Sequence, residues 1–278
     1  MNNRLTSALS SADQTEPKLL AIASGKGGVG KSVISYNMAD HLARRKRVLL
    51  LDGDFHTGNL HLLGNVNPDY GWQDICFGRV SFAEAVVSLA DNFDLLASAG
   101  GNTENAFPDM PRLAAFLGDL RKLAKDYDYV IIDTASGILP HTNLLLHTVD
   151  EVVLVTTPEL TSISDCYALY KVLIGDNTNI LASLLVNHED REEELRYIRR
   201  KFTAITDRFL NNSPEFFGNL GYDRALVEAV ACQRGISDSA PQSTINQHFA
   251  VLADHLSGQE IPESFNPETI NSAPVRPI

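Results

Sequence analysis

Cysteine is scarce in this chain. Cys76, Cys166 and Cys232 are the only three in 278 residues. An odd, widely spaced set supplies neither a disulfide framework nor a zinc site and suits a reducing compartment. No apolar run reaches the roughly 18–20 residues of a membrane span, and the first 17 residues are polar with no signal core. Basic residues are outnumbered: 23 Lys and Arg against 35 Asp and Glu leave a formal charge of −12. That excludes nucleic-acid binding driven by net charge and leaves room only for a local patch. The eight histidines show no H-E-x-x-H or Cys/His spacing, so His56 and His61 read as surface residues rather than ligands. What remains, 44% apolar and 21% charged residues, is the composition of a globular protein with one substantial core, expected to be cytoplasmic.

The apolar residues recur in short runs separated by helical spacing. Residues 19–23, 48–51, 93–97, 129–132, 152–155 and 180–186 read as strands, with 216–220 as a last short one. Residues 31–44, 111–127, 164–174, 192–210, 224–231 and 244–256 read as helices, and residues 59–90 are mixed. Strands apolar on both faces that alternate with helices predict an α/β fold. Its central sheet is mostly parallel and covered by helices on both faces. The expected organisation is a flexible tail over 1–17, a single domain over 18–257 and a flexible tail over 258–278, the last rich in Pro, Asn, Ser and Glu. In such sheets ligands bind beyond the C-terminal strand ends. Residues 25–32, 52–54, 133 and 187 fall there.

Gly25-Lys26-Gly27-Gly28-Val29-Gly30-Lys31-Ser32 fits G-x-x-x-x-G-K-[ST] between a predicted strand and a predicted helix, the context the P-loop requires. Its glycines let backbone N–H groups converge on phosphate oxygens at the positive end of the helix. Lys31 would reach the β- and γ-phosphates and the Ser32 hydroxyl would bind Mg²⁺. Asp52 and Asp54 follow the second strand. Two carboxylates beside a polyphosphate need a cation between them, which Mg²⁺ supplies. Asp133 closes Tyr129-Val130-Ile131-Ile132-Asp133, the strand pattern that holds Mg²⁺ through water, and Gly137 gives the following loop freedom to move. Asp52 and Asp133 could also serve only as strand-end caps.

The second lysine, Lys26, is foreign to an ordinary P-loop. The segment resembles the deviant Walker A motif, K-G-G-x-G-K-[ST], of the MinD/ParA family of ATPases. That resemblance implies an ATP-dependent homodimer in which Lys26 crosses to the partner's nucleotide. It implies that Asp54 orients the attacking water while Asp52 supports the metal shell, and that Asn187 reads the adenine, an alternative to capping the next helix. It covers roughly residues 19–256. Val155-Thr156-Thr157-Pro158-Glu159-Leu160-Thr161-Ser162-Ile163-Ser164-Asp165 is similar to the flagellar-number regulators of that family, the FlhG or FleN type. Lys201-Phe202 and Phe217-Gly218 point the same way. Against that type, Asp13-Gln14-Thr15 is a faint echo of its partner-binding segment, His56 and Thr57 depart from its switch I, and the tail after Gly258 offers no amphipathic helix for a membrane.

The function so implied is an ATP-hydrolysing switch using ATP and Mg²⁺, slow unless a partner stimulates it. It would dimerise with ATP and control the placement or number of a large assembly: a flagellum, a chromosome or plasmid, or a division site. The alternative is a nucleotide-responsive scaffold with little turnover. A protein partner is implied but not named. Non-specific DNA binding through Arg196, Arg199, Arg200 and Lys201 is a weaker reading, because Glu192, Glu193 and Glu194 make that helix a dipole-matched one. The basic run Arg44-Arg45-Lys46-Arg47 reads as a solvated helix end, and Trp72 with its aromatic neighbours reads as packing.

Overall fold

Alternation decides which way each strand residue faces. The computed structural model describes residues 16–55, 58–98, 107–176 and 180–258. Its strands are β1 (Lys18–Ala23), β2 (Val48–Gly53), β3 (Val86–Ala90), β4 (Phe93–Leu96), β5 (Tyr129–Thr134), β6 (Glu151–Thr156), β7 (Leu181–Asn187) and β8 (Glu215–Leu220). Successive side chains of a strand point to opposite faces. Leu19, Ala21, Leu49, Leu51, Val130, Val152 and Leu184 enter one apolar core, whereas Leu20, Ile22, Leu50, Ile131, Val153 and Leu185 enter the other. A sheet with two apolar faces must be covered twice.

The helices do so. In chain order they are α1 (Lys31–Ala43), α2 (Leu60–Leu63), α3 (Trp72–Cys76), α4 (Phe82–Ala85), α5 (Met110–Leu123), α6 (Pro140–Leu146), α7 (Leu160–Asp176), α8 (Glu192–Leu210), α9 (Arg224–Ala231), α10 (Ile236–Ser239) and α11 (Thr244–Leu256). Trp72, Leu117, Leu145, Leu169 and Phe202 bring α3, α5, α6, α7 and α8 to the first face. Ile34, Met38, Ala229, Ile236 and Phe249 bring α1, α9, α10 and α11 to the second.

The eight-stranded sheet runs β3-β4-β2-β5-β1-β6-β7-β8. Every pair is parallel except β3 with β4, as expected for a mostly parallel sheet. The antiparallel exception is a hairpin over residues 86–96 that turns at Asn92, an Asn in the left-handed region at φ 60°. The order reverses at β1: the chain steps to one side for β2 and to the other for β6. That reversal opens a crevice at the C-terminal end of β1, where an α/β sheet takes its ligand.

Cys76, Cys166 and Cys232 are free thiols. Among the described residues no group of three or more His, Cys, Asp or Glu could hold a metal by itself, and no helix is long and apolar enough to cross a membrane. The expectations for residues 1–15 and 259–278 and for His56 and Thr57 lie outside the described residues.

Candidate nucleotide site

Residues 25–32 leave β1 and enter α1 through two glycines in the left-handed region, Gly28 at φ 77° and Gly30 at φ 95°. Non-glycine residues adopt such angles at a cost. Gly25 is required for a different reason. A Cβ there would stand 2.1 Å from the Asp165 backbone oxygen, so the first turns of α7 press against the loop with no room between them. From the other side, the Asn187 amide donates to the Val29 carbonyl at 2.8 Å, and its Nδ2 would lie 2.5 Å from any Cβ on Gly30. Asn187 closes β7 and is buried. Its amide N–H is thus engaged in shaping the loop, a role the sequence did not reveal.

Lys31 is 7% exposed. Its amine donates to Ser24 Oγ at 2.9 Å and Ser136 Oγ at 2.7 Å, joining the strand before the loop to the segment after β5. Burial pushes its pKa below the usual lysine value, while Asp133 and Asp54 pull it back up. No sequence motif marks Ser24 and Ser136 as site residues. Only the fold brings them, from 112 positions apart in the chain, to one ammonium. Gly137, at φ 85°, donates its N–H to the Ser24 carbonyl at 2.9 Å.

Asp52 and Asp133 are neighbours in register on β2 and β5, 0% and 2% exposed. Burial raises Asp52 to about 7, helped by the charge of Asp133, against hydrogen bonds from the Leu60 and Asp54 amides, both 3.2 Å long. Burial likewise raises Asp133 to about 6, against hydrogen bonds from Ser32 and Ser35 and the charge of Lys31. Two carboxyls held at high pKa in one crevice make a site that a divalent cation would complete. Asp54, partly buried on the loop after β2, lies close enough for its charge to act on Lys31 and Asp133. The structure therefore brings Gly25, Gly27, Gly28, Val29, Gly30, Lys31, Ser32, Asp52, Asp54, Asp133 and Asn187 around one crevice.

Lys26 turns away from that crevice. Its amine contacts the Glu159 carboxylate and donates to Thr161 Oγ1 at 3.1 Å, both at the start of α7. Below them, Ser162 Oγ accepts from the Thr157 N–H at 3.0 Å and shares a 3.0 Å bond with Thr156 Oγ1. The Glu159 hydrogen bond and charge pairing with Lys26 hold its carboxyl below the usual range.

Comparison with known proteins agrees with this geometry. The protein-family model for an AAA domain matches residues 17–180. The antiactivator FleN of Pseudomonas aeruginosa is 29% identical over 246 residues, 88% of each chain. The septum site-determining protein MinD of Thermotoga maritima is 36% identical over 258 residues, 88% of this chain and 89% of that one. The chain belongs to the MinD/ParA family. A solved member, MinD of Pyrococcus horikoshii OT3 complexed with Mg-ADP, shares the fold at a TM-score of 0.74, with 23% identity over 86% of this chain and 96% of that one.

Three of the four basic residues singled out on α8 are engaged within this MinD/ParA chain. Arg196 pairs with Glu192 at 3.1 Å. The Arg199 guanidinium lies 5.0 Å from the Phe216 ring centre, and Lys201 sits 4.8 Å from that of Tyr197. These intrachain contacts would compete with phosphates for the same cations.

Proposed function

We propose that this MinD/ParA chain is a Mg²⁺-dependent ATPase switch that dimerises with ATP and controls the placement or number of a large cellular assembly. The observation that carries the reading is the convergence of a deviant phosphate loop, Lys31 and a pair of buried high-pKa carboxyls at the sheet's reversal point. Placement of an assembly is the reading in keeping with relatives named for site determination and antiactivation.

The backbone N–H groups of residues 27–32 bind the phosphates, and Lys31 exchanges Ser24 or Ser136 for a phosphate oxygen. Ser32, Asp52, Asp54 and Asp133 would hold Mg²⁺, which when bound neutralises charge on the transferred phosphoryl group. Asp54 orients the attacking water. Asn187 braces the loop through Val29, and the rest of its amide would read the adenine. Lys26 leaves Glu159 and Thr161 and reaches the nucleotide of a second copy, so that the dimer lasts while the γ-phosphate does. Turnover is slow until a protein partner stimulates it. Residues 18–257 act as one unit.

Phosphate release and light scattering on Asp54→Ala test this. The parent should release phosphate only with Mg²⁺, whereas Asp54→Ala should bind ATP, release almost none and accumulate as a dimer. Hydrolysis at the parent rate would remove Asp54 from the water-positioning role. A parent that binds ATP without turnover would instead be a nucleotide-responsive scaffold.

A further inference from the structure

Phe55 follows Asp54 directly and points the other way. Its ring is 9% exposed and meets three aromatic edges. Trp72 of α3 lies at 4.7 Å between ring centres, His141 of α6 at 4.9 Å and Phe107 at 5.5 Å. His141 belongs to the helix that the Ser136–Gly137 loop feeds, and Ser136 is where the Lys31 amine is tethered. The loop carrying Asp54 and the helix fed by the loop that tethers Lys31 therefore touch through the Phe55 and His141 rings.

We propose that Phe55 is a positioning residue for hydrolysis, its ring being the contact through which α6 sets where Asp54 stands. The inference rests on the roles given above to Asp54 and Lys31. When a γ-phosphate draws Lys31 from Ser136, the loop after β5 is freed and α6 shifts. His141 then moves against Phe55, and one residue of backbone carries the shift to Asp54. Close-packed rings transmit such a displacement because the core has no slack to absorb it. Edge-to-face geometry also gives the pair a preferred orientation that an aliphatic side chain lacks.

The chain's single tryptophan sits in this cluster. Trp72 is wholly buried and its indole N–H meets no hydrogen-bond partner among the described residues, so its emission depends on the rings around it. Its edge contact with Phe55 makes it a built-in reporter of the switch.

The test compares Phe55→Leu and Phe55→Tyr with the parent, each first shown to melt cooperatively. Phe55→Leu should lower kcat by about ten- to a hundredfold, the scale of a small misplacement of a catalytic group, and leave KM nearly unchanged. Phe55→Tyr, which keeps the ring edge, should recover most of that loss. Trp72 emission should change when ATP and Mg²⁺ are added to the parent, and that change should vanish in a folded Phe55→Leu that still binds ATP. A Phe55→Leu protein with the parent kcat, a tyrosine variant as slow as the leucine one, or a parent emission blind to nucleotide would overturn the proposal. Unaltered ATP binding in Lys31→Ala would instead overturn the site reading on which it rests.

Discussion

Lys26 is held by Glu159 of its own chain, not by the phosphate loop on which it sits. The contact lies at the surface, with the Glu159 side chain 64% exposed, and an exposed pair is screened by salt and easily exchanged. The amine is thus kept on the start of α7 by bonds that cost little to give up. That suits a lysine that trades them for a nucleotide on a second copy.

If so, Lys26→Gln in the Asp54→Ala background should remain monomeric with saturating ATP and Mg²⁺, while its ATP affinity stays close to that of Asp54→Ala alone. Multi-angle light scattering and calorimetry on the same samples check both halves. A dimer indifferent to the loss of Lys26 would leave an ordinary P-loop ATPase.

Lys31→Ala should weaken ATP binding by roughly one to two decades. Charge-assisted hydrogen bonds are worth about 1.5–3 kcal/mol each, and about 1.4 kcal/mol is a decade. The buried amine has two serine hydroxyls to leave, which lowers the net gain. Titration calorimetry reads the affinity directly, and an unchanged value would remove Lys31 from the phosphate site.

The Asp52 carboxyl gives the nucleotide-free protein a pH dependence of defined sign. Its folded pKa, about 7, stands above the ordinary aspartate value of 3.8. Between those values the folded state binds more protons than the unfolded one, and stability falls as pH rises, by up to about 1.4 kcal/mol per pH unit for one proton. Above pH 7 the penalty is complete. Melting temperatures from pH 5 to 8 should therefore decline more steeply for the parent than for Asp52→Asn, and Mg²⁺ with nucleotide should narrow the gap. Parallel curves would mean that the site already holds its charge without a cation.

Much of this architecture was legible. The helices over 192–210, 224–231 and 244–256 match the observed α8, α9 and α11, because apolar periodicity marks all three, with an acidic first turn on α8 and the capping side chains of Asp223 and Ser243 before α9 and α11. The Asp109 cap and Pro111 begin α5 at Met110, one residue before the predicted start. The hairpin strand β3 was hidden. Val86-Val87 continues the apolar spacing of α4, and the short capped helix Phe82–Ala85 passes directly into it. The helix α6, seven residues opening on a proline, is too short to show a period. Asp52 and Asp133 were found as strand ends, but β2 and β5 lie side by side only because of the strand order. Their shared burial, and with it their raised pKa values, is a property of topology. The bonds from Asn187 to Val29 and from Lys26 to Glu159 span 158 and 133 residues. No local pattern encodes contacts of that range.

The walls of the crevice have a consequence for the order in which the protein can be made. Residues 25–32 are translated early, yet they are shaped by Asp133, Asp165 and Asn187. The helix that follows them is fastened still later, by the His41 ring bonded to Asn246 of α11 at 2.9 Å. Such contacts are slow to find in a folding chain. Until those later segments are in place the walls of the crevice are incomplete, so ATP would meet a binding site only on a nearly finished fold.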